Sequence, residues 1–167
     1  LWSNPNGIFN PITYRTNYDQ AINYAIYSRL VVRNSDREFV PELATSYEYS
    51  EDGRTLTFKL REGITWHDGE PFTAADVAFS YAAAADPGLP IDTPAFVQNL
   101  VGSEDDNSGK SDTLEGIKVI DKLTISFTFQ DPFLGALAYL AHKPVLAKHI
   151  WEGTPVSEWN NATELLQ

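Results

Sequence analysis

A chain of 167 residues with 43% hydrophobic and 13% aromatic content carries enough apolar material for one packed domain, which argues against intrinsic disorder. Its 23 acidic against 12 basic residues leave a net charge of −11, which disfavours a nucleic-acid-binding surface and an anionic membrane surface alike. There is no cysteine, so disulfides, thiolate nucleophiles and sulfur-ligated zinc are excluded, and no stretch approaches the roughly 18 apolar residues of a spanning helix.

The chain opens on Leu1-Trp2-Ser3-Asn4-Pro5, which lacks the basic and then apolar order of a secretory signal; a mature protein would have lost one, so the compartment stays open here. Asn4-Pro5-Asn6-Gly7 and Asn10-Pro11 read as turns, and Ile12 to Tyr18 as a polar, aromatic connection. Asp19 then stands as the cap of a helix with apolar positions at Ile22, Ala25, Ile26 and Leu30 and a second stripe of Tyr24, Tyr27 and Val31, a pattern for burial on two sides.

From Leu43 to Ser50 and from Thr55 to Arg61 the period changes to two. Leu56, Phe58 and Leu60 alternate with Thr55, Thr57, Lys59 and Arg61, and Glu51-Asp52-Gly53 supplies the turn of an antiparallel hairpin. A second hairpin is expected from Ile117 to Ile120 and Leu123 to Phe129, turning at Asp121-Lys122. Thr73-Ala74-Ala75-Asp76 has capping-box spacing, while Thr93-Pro94 and Asp131-Pro132 each put a capping side chain before a proline at the first helical position. The expected order is helix, hairpin, helix, helix, hairpin, helix, with Gly102 to Thr113 a polar surface loop and Ala82 to Ala85 the one low-complexity patch. Glu164-Leu165-Leu166-Gln167 breaks off on an apolar pair with no stop signal, which reads as a fragment.

His67-Asp68-Gly69-Glu70 concentrates polar groups, but adjacent side chains on an extended segment point apart, and a tight Asp-Gly turn anchored by Trp66 accounts for them without catalysis. Asp76 is a helix cap before it is an acid. His142 and His149 have a spacing of seven residues that Pro144 interrupts, and they lack a third ligand, so surface or capping roles are preferred to a metal site. Glu104-Asp105-Asp106 lacks the alternating oxygens of a calcium loop, and no phosphate-cradling glycine loop is present. Tyr14, Tyr18, Tyr24, Tyr27, Trp66, Phe96, Trp151 and Trp159 exceed what the strands need, and divide between core and binding surface. Two readings other than a receptor remain open: a hydrolase using carboxylates such as Asp68 and Asp76, for which no spacing is set, and a self-associating module.

Three stretches carry a resemblance: Val40-Pro41-Glu42-Leu43-Ala44-Thr45-Ser46-Tyr47, Asp52-Gly53-Arg54-Thr55-Leu56-Thr57-Phe58-Lys59-Leu60-Arg61-Glu62-Gly63 and Trp66-His67-Asp68-Gly69-Glu70-Pro71-Phe72-Thr73-Ala74-Ala75-Asp76-Val77. They resemble the family 5 extracellular solute-binding proteins, the oligopeptide and dipeptide receptors of bacterial ABC importers. The likeness extends from Phe9-Asn10-Pro11 through Gly116-Ile117-Lys118-Val119-Ile120-Asp121 to Pro144-Val145-Leu146-Ala147-Lys148-His149-Ile150. It implies an α/β fold of the type II periplasmic-binding-protein kind, incomplete here, with antiparallel hairpins and packed helices in an α+β subdomain. Residues 1–34 would be the first segment of the ligand-binding lobe, 35–143 the inserted subdomain, and 144–167 the return into the lobe. The resemblance implies a non-catalytic receptor outside the cytoplasm, without metal or cofactor, that delivers a peptide to permease subunits. A lipid anchor ahead of this chain would be its sole membrane contact. Relatives carry nickel complexes, haem or oligosaccharides instead, and a stand-alone interaction module is the further alternative. Ligand contacts are implied for Tyr14, Arg15, Thr16 and Asn17, which align with a loop lying along the bound peptide, and for Phe96. Arg15 departs from relatives that carry an acidic residue there.

Overall fold

Helix formation after Asn10-Pro11 begins earlier than the Asp19 position suggests. In the computed structural model, which describes residues 10–13, 16–89, 94–103 and 114–160, Thr16 is the cap of α1 (Asn17–Ile26). The Thr16 hydroxyl accepts from the Asp19 N–H at 3.1 Å, so Asp19 sits inside the first turn and not ahead of it. The helix stops at Ile26, and Tyr27, Leu30 and Val31 fall outside it. Val31 and Val32, β-branched and better suited to extended backbone, instead form β1 (Val31–Arg33), paired antiparallel with β2 (Phe39–Pro41).

The two expected hairpins form. Strand β3 (Ala44–Tyr49) pairs with β4 (Thr55–Leu60) across the turn at Glu51-Asp52-Gly53, where Gly53 has φ 69° and the Asp52 carboxylate accepts from the Ser50 hydroxyl and the Arg54 N–H. Strand β5 (Ile117–Asp121) pairs with β6 (Thr124–Thr128) and turns one residue later than expected, at Lys122-Leu123, because Asp121 still pairs with Thr124 and its carboxylate accepts from the Leu123 N–H. What local pattern does not specify is how the hairpins join. Strands β4 and β6 pair antiparallel, Thr55 with Thr128 and Phe58 with Ile125, so the sheet order is β3-β4-β6-β5. Leu56, Phe58, Ile125 and Phe127 are fully buried on one face of this seam.

Helix α2 (Ala74–Ala83) packs on that face through Val77 and Tyr81. Its start is as the spacing requires: the Asp76 carboxylate accepts from the Thr73 N–H at 2.8 Å and from the Thr73 hydroxyl at 3.0 Å. The other two helix starts differ. Pro94 is itself the cap of the single turn α3 (Ala95–Gln98), and Thr93 lies outside the described residues. Helix α4 (Ala136–Leu140) begins at Ala136 instead of Pro132, since the preceding residues first cross the end of the sheet, where the Phe133 N–H donates to the Gly53 carbonyl and Asp131 meets Arg54 at 3.4 Å. A short helix α5 (Lys148–Trp151) and a 3-10 turn (Val156–Glu158) end the described chain.

The core has two parts. The larger lies between the sheet and α2 and contains an aromatic cluster of Tyr81, Phe96, Phe127, Phe129 and Tyr139, with Phe96 stacked on Tyr139 at 4.8 Å. The smaller gathers Ile12, Ala83, Leu89, Leu146, Trp151 and Trp159 where the first and last described segments meet. The polar loop expected around Glu104-Asp105-Asp106 falls outside the described residues.

Candidate ligand-binding site

The connection ahead of α1 is held by its own polar side chains. Asn10, fully buried, accepts from the Ile12 and Thr13 N–H groups at 2.9 and 3.3 Å, closing the Asn-Pro turn. The Thr13 hydroxyl donates to the Asn160 carboxamide oxygen, tying this connection to the far end of the described chain. Thr16, half-buried, also donates its hydroxyl to Asp19 at 2.6 Å, so that group is already engaged within the cap. Asn17 is exposed at the first position of α1, while Tyr14 and Arg15 lie outside the described residues. On the inner side of α1, Asp19 and Asn23 are fully buried, and one Asp19 oxygen and both Asn23 amide atoms have no hydrogen-bond partner among the described residues.

Phe96 does not belong with these residues. Its ring is 1% exposed and makes edge contacts with Phe127 and Phe129 besides the stack on Tyr139, which places it in the core.

The polar stretch at Trp66 to Glu70 is a turn. The Trp66 N–H donates to the Glu70 carbonyl, the Gly69 N–H to the Trp66 carbonyl, and the Asp68 carboxylate accepts from the Glu70 N–H at 3.1 Å, with Gly69 at φ 94°. His67 is exposed and does not partner its neighbour. The partner of Asp68 is His149, at 2.7 Å between Oδ2 and Nε2, a contact spanning 81 residues. The bond from His149, then that from the Glu70 N–H, holds the Asp68 carboxyl below its ordinary range, and the same bond to Asp68 raises the His149 imidazole above its own. Among the described residues, no group of three or more His, Cys, Asp or Glu side chains could hold a metal ion.

Helix α2 also grips the return segment, a feature that sequence reasoning missed. The second Asp76 oxygen accepts from the Lys148 N–H at 2.9 Å, Ser80 Oγ accepts from the Leu146 N–H at 2.8 Å, and the Tyr81 hydroxyl donates to the Lys143 carbonyl at 3.3 Å. From the other side, the Val145 N–H donates to the Ser28 carbonyl. The available signal was Ser80, a polar residue four positions after Asp76 in an otherwise apolar helix. Between this strap, the end of α1 and the Trp66 turn lies a groove of about 440 Å³ whose walls include Tyr27, Trp66, Phe72, Val145, Ile150 and Trp151.

Comparison with known proteins gives this arrangement a context. The family model for bacterial extracellular solute-binding proteins, family 5 Middle, matches residues 38–165. The chain is 36% identical over 140 residues to the periplasmic alpha-galactoside-binding protein of Rhizobium meliloti, covering 78% of this chain and 19% of that protein. It is 34% identical over 144 residues to the dipeptide-binding protein of Escherichia coli, covering 80% of this chain and 26% of that one. The chain thus spans about a fifth to a quarter of these relatives. Among solved structures, the Escherichia coli murein tripeptide binding protein MppA superposes with a TM-score of 0.79 at 25% identity over 95% of this chain and 31% of its own. Haemophilus influenzae OppA in complex with RPPGFSPFR gives 0.77 at 24% identity over 87% of this chain and 29% of its own. The fold is therefore part of a type II periplasmic-binding protein.

Proposed function

Since the chain belongs to family 5 of the bacterial extracellular solute-binding proteins, we propose that it is part of a non-catalytic receptor that captures peptides outside the cytoplasm and delivers them to the permease subunits of an ABC importer. The observation that carries this reading is the family match over residues 38–165, which includes the whole sheet and α2. A dipeptide, a murein tripeptide and an oligopeptide are named for relatives of similar sequence or fold. A second reading, an oligosaccharide receptor, is favoured by the 36% identity to the alpha-galactoside-binding protein.

In this proposal residues 35–143 form the inserted subdomain and 144–167 return to the ligand-binding lobe. Residues 1–34 are the first lobe segment, and the pairing of β1 with β2 ties the two parts together across that boundary. Ligand contact is assigned to the connection Tyr14 to Asn17. With the Thr16 hydroxyl engaged by Asp19, the described part of this loop offers main-chain groups and the exposed Asn17 side chain, which suits a receptor tolerant of peptide sequence. No helix among the described residues is long and apolar enough to cross a membrane.

One wall of a cleft cannot enclose a ligand, and immobilising that ligand costs at least about 4 kcal/mol. Isothermal titration with a tri- to pentapeptide pool and with an alpha-galactoside tests the reading. The complete gene product should bind peptide at about micromolar concentration or tighter, and the 167-residue chain should bind weakly or not at all. Exclusive binding of the galactoside selects the second reading, and tight peptide binding by these 167 residues alone refutes the proposed geometry.

A further inference from the structure

Among the described residues, the Asp68 and His149 side chains tie two walls of the 440 Å³ groove to each other. One wall is the Trp66 to Glu70 turn, made rigid by its own backbone bonds and by the Asp68 carboxylate on the Glu70 N–H. The other is the strap leading into α5, whose backbone is pinned to α2 at Leu146 by Ser80 and at Lys148 by Asp76. Immediately past that last anchor, His149 reaches the turn. Its side chain is 35% exposed and that of Asp68 is 43% exposed, so water and protons have access to both.

We propose that Asp68 and His149 form a pH-sensitive clasp across this groove, shut while the imidazole is protonated and loosened as it loses its charge. This goes beyond the transport reading and does not depend on it. The turn presents Asp68 and Glu70 to His149, with His67 exposed beside them, and the start of α2 presents Asp76. On the histidine's own helix, Lys148 and Glu152 pair with each other at 3.5 Å. The surroundings are therefore acidic, and a proton on His149 is favoured by the bond to Asp68 and by the fields of Asp76 and Glu70, against a smaller opposing effect of desolvation.

The sign follows from linkage. A group whose pKa is raised by folding contributes fully below its unfolded value, about 6.5 for histidine, and loses that contribution as pH rises through the folded value. The Asp68 side fails only in acid, because its lowered pKa keeps the carboxylate charged to below the ordinary range. The clasp is thus shut in mild acid and opens in the neutral to alkaline range. Its opening frees the end of α5 and with it Ile150, a groove wall already 44% exposed.

Hydrogen exchange of the Ile150 and Trp151 amides, both bonded to the Ala147 carbonyl, reads this opening in the intact 167-residue chain. After correction for the intrinsic pH dependence of exchange, their protection should fall at least about twofold between mildly acidic and mildly alkaline buffer. In Asp68→Asn and in His149→Gln that pH dependence should vanish, and the His149 imidazole should titrate at lower pH in Asp68→Asn than in the wild type by NMR. An unchanged titration of His149 in Asp68→Asn, or the same exchange profile in wild type and both variants, overturns the proposal. If either variant fails to fold, the other and the wild-type titration still decide it.

Discussion

On the sheet, Leu56, Phe58, Ile125 and Phe127 are fully buried, while the threonines of the same strands are half-buried and Lys59 is exposed; on α1, the fully buried positions are Asp19 and Asn23, while Ile26 is 55% exposed. The first region follows the ordinary alternation of a half-buried sheet. The second inverts the usual order of a helix, and leaving polar groups unpartnered inside costs about 1–3 kcal/mol for each group. The contrast teaches where stability resides. Dispersion and area burial hold the sheet and α2 together, whereas α1 is ordered at its start by the Thr16 cap and reaches the return segment through the Tyr24 hydroxyl, 2.8 Å from His142 Nδ1.

The sharpest way to break this comparison is Phe58→Ala. A fully buried phenylalanine truncated to alanine should cost about 3–5 kcal/mol in urea unfolding, and a loss below about 1 kcal/mol would contradict a sheet-centred stability. Next in size is Asp76→Ala, which removes the cap of α2 and orphans the Lys148 N–H. About 2–3 kcal/mol is expected, with a larger loss of exchange protection in the strap than in β4. Ser80→Ala should cost about 1 kcal/mol by releasing Leu146 from α2. Ile26→Ser should change stability by no more than about 0.5 kcal/mol, since the side chain is largely in water already. A loss near that of Phe58→Ala would show that α1 belongs to the same cooperative core after all.

Both hairpins were readable from the sequence, because an alternation of period two with a Gly or Asp turn has few other solutions. So was the role of Asp76 as a cap. The start of α1 is not fixed by the sequence pattern, since Thr16 and Asp19 are both good caps and only the backbone decides between them. Its C-terminal stripe failed for a different reason: Leu30 and Val31 repeat at helical spacing but are claimed by a strand pairing with Phe39–Pro41 that no local rule announces. Of the candidate site, Thr16 and Asn17 stand together at the start of α1, while Phe96 lies in the core, a placement that an aromatic residue shortly after a proline does not reveal. The Asp68–His149 contact could not be read at all, its partners being 81 residues apart.

The pairing of β4 with β6 also bears on how the chain folds. It joins Thr55 to Thr128 across 73 residues, whereas each flanking hairpin closes over a turn of a few residues. Short turns close within about 10 μs, but a long loop must surrender its conformational freedom before the contacts between its ends repay it. We expect the two hairpins to be structured early and the central seam to be sealed late. In stopped-flow measurements, Gly53→Ala should then chiefly slow folding, because the turn's φ of 69° is unfavourable for alanine, while Val77→Ala, on the helix that packs over the joined seam, should chiefly speed unfolding. The reverse pattern would mean that the long-range seam nucleates the fold and the hairpins condense around it.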